Sequence, residues 1–181
     1  MYRKVIRNKK AFTLSETLIA VLIMLMVSSI LVTGIPAAKN AYEKVFVKSN
    51  AELLKSTTIS ALRNELSVAK DIKVTNDTTV TYSSRMYGTT CQLSIGNYGI
   101  KIQRNILDEE TSSRLVSSAA SDKMIVKYDS VTEPDNNGVM TFTKLGVYKV
   151  SMNSTNDNGS VTTSYTYTPV LPASDLSIIV F

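Results

Sequence analysis

The sequence predicts an α+β protein. One long N-terminal helix, membrane-spanning in its first half and amphipathic in its second, is expected to pack on a C-terminal antiparallel β-sheet head. Three observations support this fold class. Residues 12–35 are apolar and almost uncharged, and residues 36–71 place apolar side chains three and four positions apart. Beyond residue 72 the apolar pattern changes to a period of two, which is typical of strands.

The first ten residues carry the net charge of the chain. A length of 181 residues allows one ordinary domain with a core of its own. The chain has 20 basic and 15 acidic residues, and the excess of five equals the number of cations at the N-terminus. The body is therefore neutral, and no basic face indicates a nucleic-acid partner. These five cations are Arg3, Lys4, Arg7, Lys9 and Lys10.

The composition argues against an enzyme. The chain contains no histidine, so a Ser-His or Cys-His catalytic pair cannot form. No phosphate-binding loop, dinucleotide fingerprint or Gly-x-Ser-x-Gly elbow occurs. The single cysteine, Cys91, excludes an internal disulfide and is expected to face the core. We therefore predict no catalytic residue, no metal site and no cofactor.

Residues 12–35 are long enough to cross a bilayer. At about 1.5 Å per residue, this helix would span roughly 36 Å, more than the hydrocarbon core of about 30 Å. The cations before it are expected to keep the N-terminus in the cytoplasm. A cleaved signal peptide and an uncut signal anchor are the alternatives. The apolar stretch is longer than a signal peptide needs.

Glu16 is the only charged residue between Phe12 and Ile35. A carboxylate in a membrane helix is costly, and it therefore indicates a functional site. A structural explanation is also available, because Thr13-Leu-Ser-Glu16 fits the capping box of a helix start. The capping box explains where the helix begins but not the basic segment that stops just before it.

The stretch KKAFTLSETLIA, residues 9–20, resembles the processing and assembly segment of type IV prepilins and type II secretion pseudopilins. The resemblance implies that a membrane peptidase cuts between Ala11 and Phe12 and that Phe12 is then N-methylated. Ala11 stands where this family most often has glycine. Glu16 becomes the fifth residue of the mature chain, where the family's glutamate pairs with the N-terminal amine of a neighbouring subunit.

The resemblance also implies a function, partners and a location. The chain would be a structural subunit, a minor pilin or pseudopilin, of a type IV pilus or type II secretion-like filament. Its partners would be the membrane, the prepilin peptidase/methyltransferase, other pilin or pseudopilin subunits and an inner-membrane assembly platform. It would sit in the bacterial cytoplasmic membrane with the head outside, and at the cell surface once assembled. The alternative is a membrane-anchored extracellular binding domain that does not polymerise.

The chain divides into four predicted parts. These are a leader (1–11), a transmembrane and assembly helix (12–35), its amphipathic continuation (36–71) and an extracytoplasmic β-rich head (72–181). Gly34 and Pro36 are expected to kink or loosen the helix between its halves. Residues 105–122 could be a surface loop or a short helix.

The head is expected to contain short strands joined by tight turns. Two acidic turns, at 133–138 and 154–159, could be calcium loops, but both lack the final acid of such a loop and fit hairpin turns better. The predicted strands are residues 78–83, 91–95, 99–104, 124–129, 139–143, 147–153, 161–168 and 176–181.

Overall fold

A computed structural model of the chain describes residues 13–108, 112–116, 123–157 and 160–180. It confirms the α+β class. One long helix, α1 (Leu14–Ser67), is followed by strands that form two antiparallel sheets. Two compact units make up the chain, Met1–Val45 and Phe46–Phe181.

The first unit consists, in its described residues, of the start of α1. Every residue from Thr13 to Val45 is exposed, so this half of the helix has no protein core of its own. The expected weak point at Gly34 and Pro36 does not end the helix, because helical structure continues through both residues. The one ion pair recorded on this stretch joins Lys39 and Glu43, one turn apart, at 3.8 Å.

In the second unit α1 stops earlier than the sequence predicts. We expected the helix to continue to residue 71, but it ends at Ser67 and a strand begins at Ala69. Ala69 continues the helical spacing of apolar residues, and for that reason the sequence pattern misplaces it. In the structure Ala69 is buried within the strand, and Asp71 has a φ of +53° beside a bulge, a conformation that a helix cannot accommodate.

The first sheet is a meander in which each strand pairs with the next along the chain. The hairpin between the third and fourth strands closes at the pair Gly96↔Gly99, and Gly99 has a φ of +96°, as a turn glycine requires. The strands are β1 (Ala69–Asn76), β2 (Thr79–Ser84), β3 (Thr90–Gly96), β4 (Gly99–Gln103) and β5 (Ser112–Arg114).

The second sheet is organised around one long strand. Its strands are β6 (Met124–Lys127), β7 (Ser130–Val131), β8 (Val139–Asp157), β9 (Ser160–Pro169) and β10 (Ser174–Ile179). All of the other four strands pair antiparallel with β8. The partner strands that precede β8 in the chain are β6 and β7, and those that follow it are β9 and β10.

The prediction of two strands at 139–143 and 147–153 is wrong, because β8 runs through both. The residues between them form an irregularity in one strand and not a turn. Lys144 has a φ of +50°, and its N–H donates to Asp175 Oδ1 at 2.9 Å. Its ammonium lies 3.0 Å from Asp129 Oδ2. The two carboxylates hold the strand through this distortion, which the alternation of residue types does not reveal.

The core of the second unit lies between the last turns of α1 and the two sheets. Leu62 and Leu66 are fully buried, together with Phe142 of β8. Cys91 is also fully buried and packs within this cluster, as the sequence predicts. Burial raises the pKa of its thiol, so the thiol stays protonated and unreactive.

Tyr128 links the two sheets. Its hydroxyl donates to the carbonyl of Thr78, between β1 and β2, at 2.9 Å, and its ring meets the edge of Phe142 at 5.0 Å. A second bond, from the Val131 N–H to the Asp77 carbonyl at 2.8 Å, lies beside it. Burial raises the pKa of Tyr128 far above its ordinary value of 10.0.

We predict that Leu62→Ala destabilises the second unit by about 2–5 kcal/mol, because it leaves a cavity in a closed core. Leu53→Ala on the same helix is the matched control, since Leu53 is 61% exposed and Leu62 is 0% exposed. The control should cost less than about 1 kcal/mol. Urea unfolding of the full chain in detergent measures both values. Equal losses would contradict the position assigned to Leu62.

We also predict a loss of stability above pH 10 that depends on Tyr128. The unfolded side chain ionises near pH 10, whereas the buried one keeps its proton to higher pH. The contribution of Tyr128 is therefore complete below pH 10 and is lost as the pH rises above it, by up to about 1.4 kcal/mol per pH unit. Tyr128→Phe should reduce this decline in unfolding experiments from about pH 9 to about pH 12. The part that remains comes from Tyr82, whose pKa burial also raises. An unchanged slope would contradict the assignment.

Candidate functional site

The sequence-predicted site lies at the start of α1. Glu16 is in the first turn of the helix, and Thr13 immediately precedes it. The predicted cleavage site, between Ala11 and Phe12, and the predicted N-methylation of Phe12 fall outside the described residues. The structure therefore gives geometry only for the carboxylate of this site.

Thr13 and Glu16 form a capping box. The Thr13 N–H donates to Glu16 Oε2 at 2.9 Å, and the Thr13 hydroxyl donates to the same oxygen at 3.1 Å. In return, the Glu16 N–H donates to Thr13 Oγ1 at 3.4 Å. These bonds satisfy backbone groups that the helix itself leaves without partners, and the carboxylate lies at the positive end of the helix dipole.

The two oxygens of Glu16 are used differently. Both bonds from Thr13 go to Oε2, and no hydrogen bond from a described residue goes to Oε1. Among the described residues, the helix start therefore holds the carboxylate by one oxygen. An arrangement of this kind can accept a further donor, such as an ammonium group, without giving up the cap.

The helix turns that follow Glu16 carry apolar side chains. By length and composition, α1 is the one helix in the described part of the chain that could cross a membrane, and its apolar window has no buried residue. The large apolar residues from Leu14 to Ile35 are between 50% and 86% exposed. A continuous apolar surface of this size requires lipid or other protein chains to cover it.

The hydroxyls within this apolar stretch bond to their own helix. Thr17 Oγ1 donates to the Leu14 carbonyl at 2.8 Å, and Ser28 Oγ donates to the Met24 carbonyl at 2.8 Å. Such bonds allow polar side chains to lie in an apolar environment. Within this stretch Glu16 is consequently the one charged group to be accounted for.

The acidic turn at 133–138 is a hairpin turn. Asp135 Oδ1 accepts bonds from the N–H groups of Asn137 and Val139, at 2.9 and 2.8 Å. Glu133 Oε1 accepts a bond from the Val74 N–H at 3.3 Å. These carboxylates therefore accept hydrogen bonds from backbone N–H groups. Among the described residues, no three Asp, Glu or Cys side chains group closely enough to hold a metal ion.

Comparison with known proteins locates a family signature at this site. Residues 6–32 match the model of a family described as a prokaryotic N-terminal methylation motif, the type IV prepilin-like signal. No curated protein and no solved structure matches the chain. The matched segment contains Ala11, Phe12 and Glu16. The chain is thus type IV pilin- or pseudopilin-like in the segment where its candidate site lies.

Proposed function

We propose that this chain is a structural subunit, a minor pilin or pseudopilin, of a type IV pilus or type II secretion-like filament. The observation that carries the proposal is a carboxylate, held by Thr13 through one oxygen, at the start of an apolar helix with no buried residue in its apolar window. The methylation motif over residues 6–32 supports it, because proteins with this signal are processed and assembled at that end of the helix.

Maturation would create the partner for this carboxylate. A peptidase cut between Ala11 and Phe12 removes the basic leader, residues 1–11, and leaves one new amine on Phe12. Methylation of that amine keeps its positive charge. Glu16 lies four positions after this amine in the chain. Residues 12–35 then act as the transmembrane and assembly helix, α1 continues beyond them to Ser67, and the strands that follow form the head.

Pairing between subunits follows from the cost of an isolated charge in an apolar medium. The Glu16 carboxylate or the Phe12 amine alone is poorly solvated among lipid chains or packed helices. When one subunit supplies the amine and the next supplies Glu16 Oε1, each charge finds a partner. The surrounding leucine, isoleucine and valine side chains add adhesion, and the ion pair fixes the register along the filament.

The partners and location of the proposal follow from the same steps. The chain would insert in the cytoplasmic membrane with its N-terminus inside and its head outside. It would meet a prepilin peptidase/methyltransferase first, then an inner-membrane assembly platform and other pilin or pseudopilin subunits. At the cell surface it would be part of a filament.

The competing function is an anchored extracellular binding domain that never polymerises. Intact-mass spectrometry of the protein from its native membrane separates the two functions. We predict a chain that begins at Phe12 and carries a methyl group on its amine, because the matched family is described as an N-terminal methylation motif. A chain that keeps residues 1–11 would contradict the proposal and favour the anchor.

We predict that Glu16→Gln and Glu16→Ala both abolish most incorporation into filaments. Glutamine keeps the capping-box bonds but has no charge, whereas alanine loses both. If charge pairing drives assembly, the two variants should be equally defective, roughly tenfold or more below the wild type for an ion pair lost from an apolar site. Immunoblots of sheared filaments against membrane fractions give the ratio. Normal incorporation of Glu16→Gln would show that the cap, and not the charge, is required.

A further inference from the structure

The hairpin of β8 and β9 extends beyond the rest of the second sheet. On the side of β6, the last bond to β8 runs from the Val150 N–H to the Lys123 carbonyl at 2.7 Å. The pairing of β8 with β9 continues for seven further residue pairs. Among the described residues, 151–157 and 160–166 thus form a ribbon of two strands, which we call the β8–β9 ribbon.

Where its side chains are described, neither face of the β8–β9 ribbon covers a core. Residues 151–154 and 162–164 are all exposed, although they alternate between the two faces. An isolated pair of strands is only marginally stable in water, and a third strand or a packed face is normally needed. The ribbon is therefore a structure that gains from an additional strand.

The base of the ribbon is nevertheless held firmly. The Tyr165 ring meets the edge of the Tyr98 ring at a centroid distance of 6.1 Å. The Tyr167 hydroxyl donates to the Asn97 carbonyl at 3.4 Å, and the Lys127 ammonium lies 3.6 Å from the centre of the Tyr167 ring. These contacts engage one face of β9, and among the described strands only β8 pairs with it, so that no strand pairs with its outer edge.

The outer edge of β9 lacks the features that usually prevent strand addition. Edge strands are commonly protected by lysines, prolines or bulges. Between Ser151 and Thr168 the only charged residue is Asp157, and the first proline is Pro169. The ladder of β8 and β9 also runs without a register shift, unlike those of β1 with β2 and β10 with β8.

We infer that the outer edge of β9, from Thr162 to Thr166, pairs antiparallel with the same edge of a second copy of this chain. The two ribbons would then form one four-stranded sheet with the order β8-β9-β9-β8. The partner is a second copy because this edge is self-complementary. From Thr162 to Thr166 each side chain carries a neutral hydroxyl, so that two copies meet without like charges.

The side chains also select a register. Centring the pairing on Ser164 places Thr162 opposite Thr166 and Thr163 opposite Tyr165. Threonine pairs and pairs of an aromatic with a β-branched residue are both favourable across strands. A pairing centred on Tyr165 would place the Tyr165 rings of the two copies opposite each other. Each of these rings already contacts Tyr98 of its own copy on that face, so this register would crowd four rings together. The Ser164 residues of the two copies are therefore expected to face each other.

Disulfide cross-linking of the full chain in membranes tests this pairing. Across β9 and its symmetric copy, Ser164→Cys residues would be about 4.5–5.5 Å apart at Cα, within disulfide range. Ser154→Cys is the matched control, because Ser154 is exposed on β8 and pairs with Thr163. In the four-stranded sheet its two copies would be three strand spacings apart, about 14 Å.

Under mild oxidation, Ser164→Cys should give about tenfold more covalent dimer than Ser154→Cys, because only the first pair satisfies disulfide geometry. The wild type should give none, since Cys91 is fully buried. Equal cross-linking at both positions, cross-linking at Ser154 only, or a product with a different protein would overturn the inference, and so would an absence of dimer. The result is independent of the proposed function, because the dimer should persist when Glu16→Ala is combined with Ser164→Cys.

Discussion

The structure depends on how α1 buries its apolar side chains. From Ala51 to Leu66 the helix places one stripe in the core of the second unit, where Leu62 and Leu66 are completely enclosed. From Leu14 to Ile35 the same helix has equally apolar side chains and encloses none of them. One helix is thus stable in two different surroundings. Its later turns make a globular unit possible, and its first turns require lipid or other helices.

Glu16 reconciles the structural and the functional explanation of its own position. A capping box and an intermolecular ion pair look like competing roles for one carboxylate. The two roles are compatible, because both bonds from Thr13 go to Oε2 and the proposed ion pair would use Oε1. The cap also holds the side chain in one orientation, which would reduce the entropy lost when a partner binds. In the proposed filament, the cap would therefore prepare Glu16 to bind the N-terminal amine of another subunit.

The roles of Ala11, Phe12 and Glu16 in processing and assembly stay predictions. The sequence predicted the fold class, most strands and the capping box of Thr13 and Glu16, because each of these has a local pattern. It failed where long-range contacts decide the structure. Ala69 fits a helical spacing but is buried in β1, and Lys144 interrupts an alternation that Asp129 and Asp175 restore from other parts of the chain. The strands β5 and β7 contain three and two residues, too few for any periodicity. The capping pattern predicted a bond between Thr13 and Glu16, but a sequence pattern cannot predict that both bonds go to the same carboxylate oxygen.

The central position of β8 has a consequence for the order of folding. β8 pairs with β6 and β7, which are synthesised before it, and with β9 and β10, which are synthesised after it. The second sheet therefore cannot close until β10 has been synthesised. Contacts between segments far apart in sequence, such as those of β10 with the start of β8, form slowly. Until then the strands already synthesised form an incomplete sheet, whose unpaired edges a chaperone can bind.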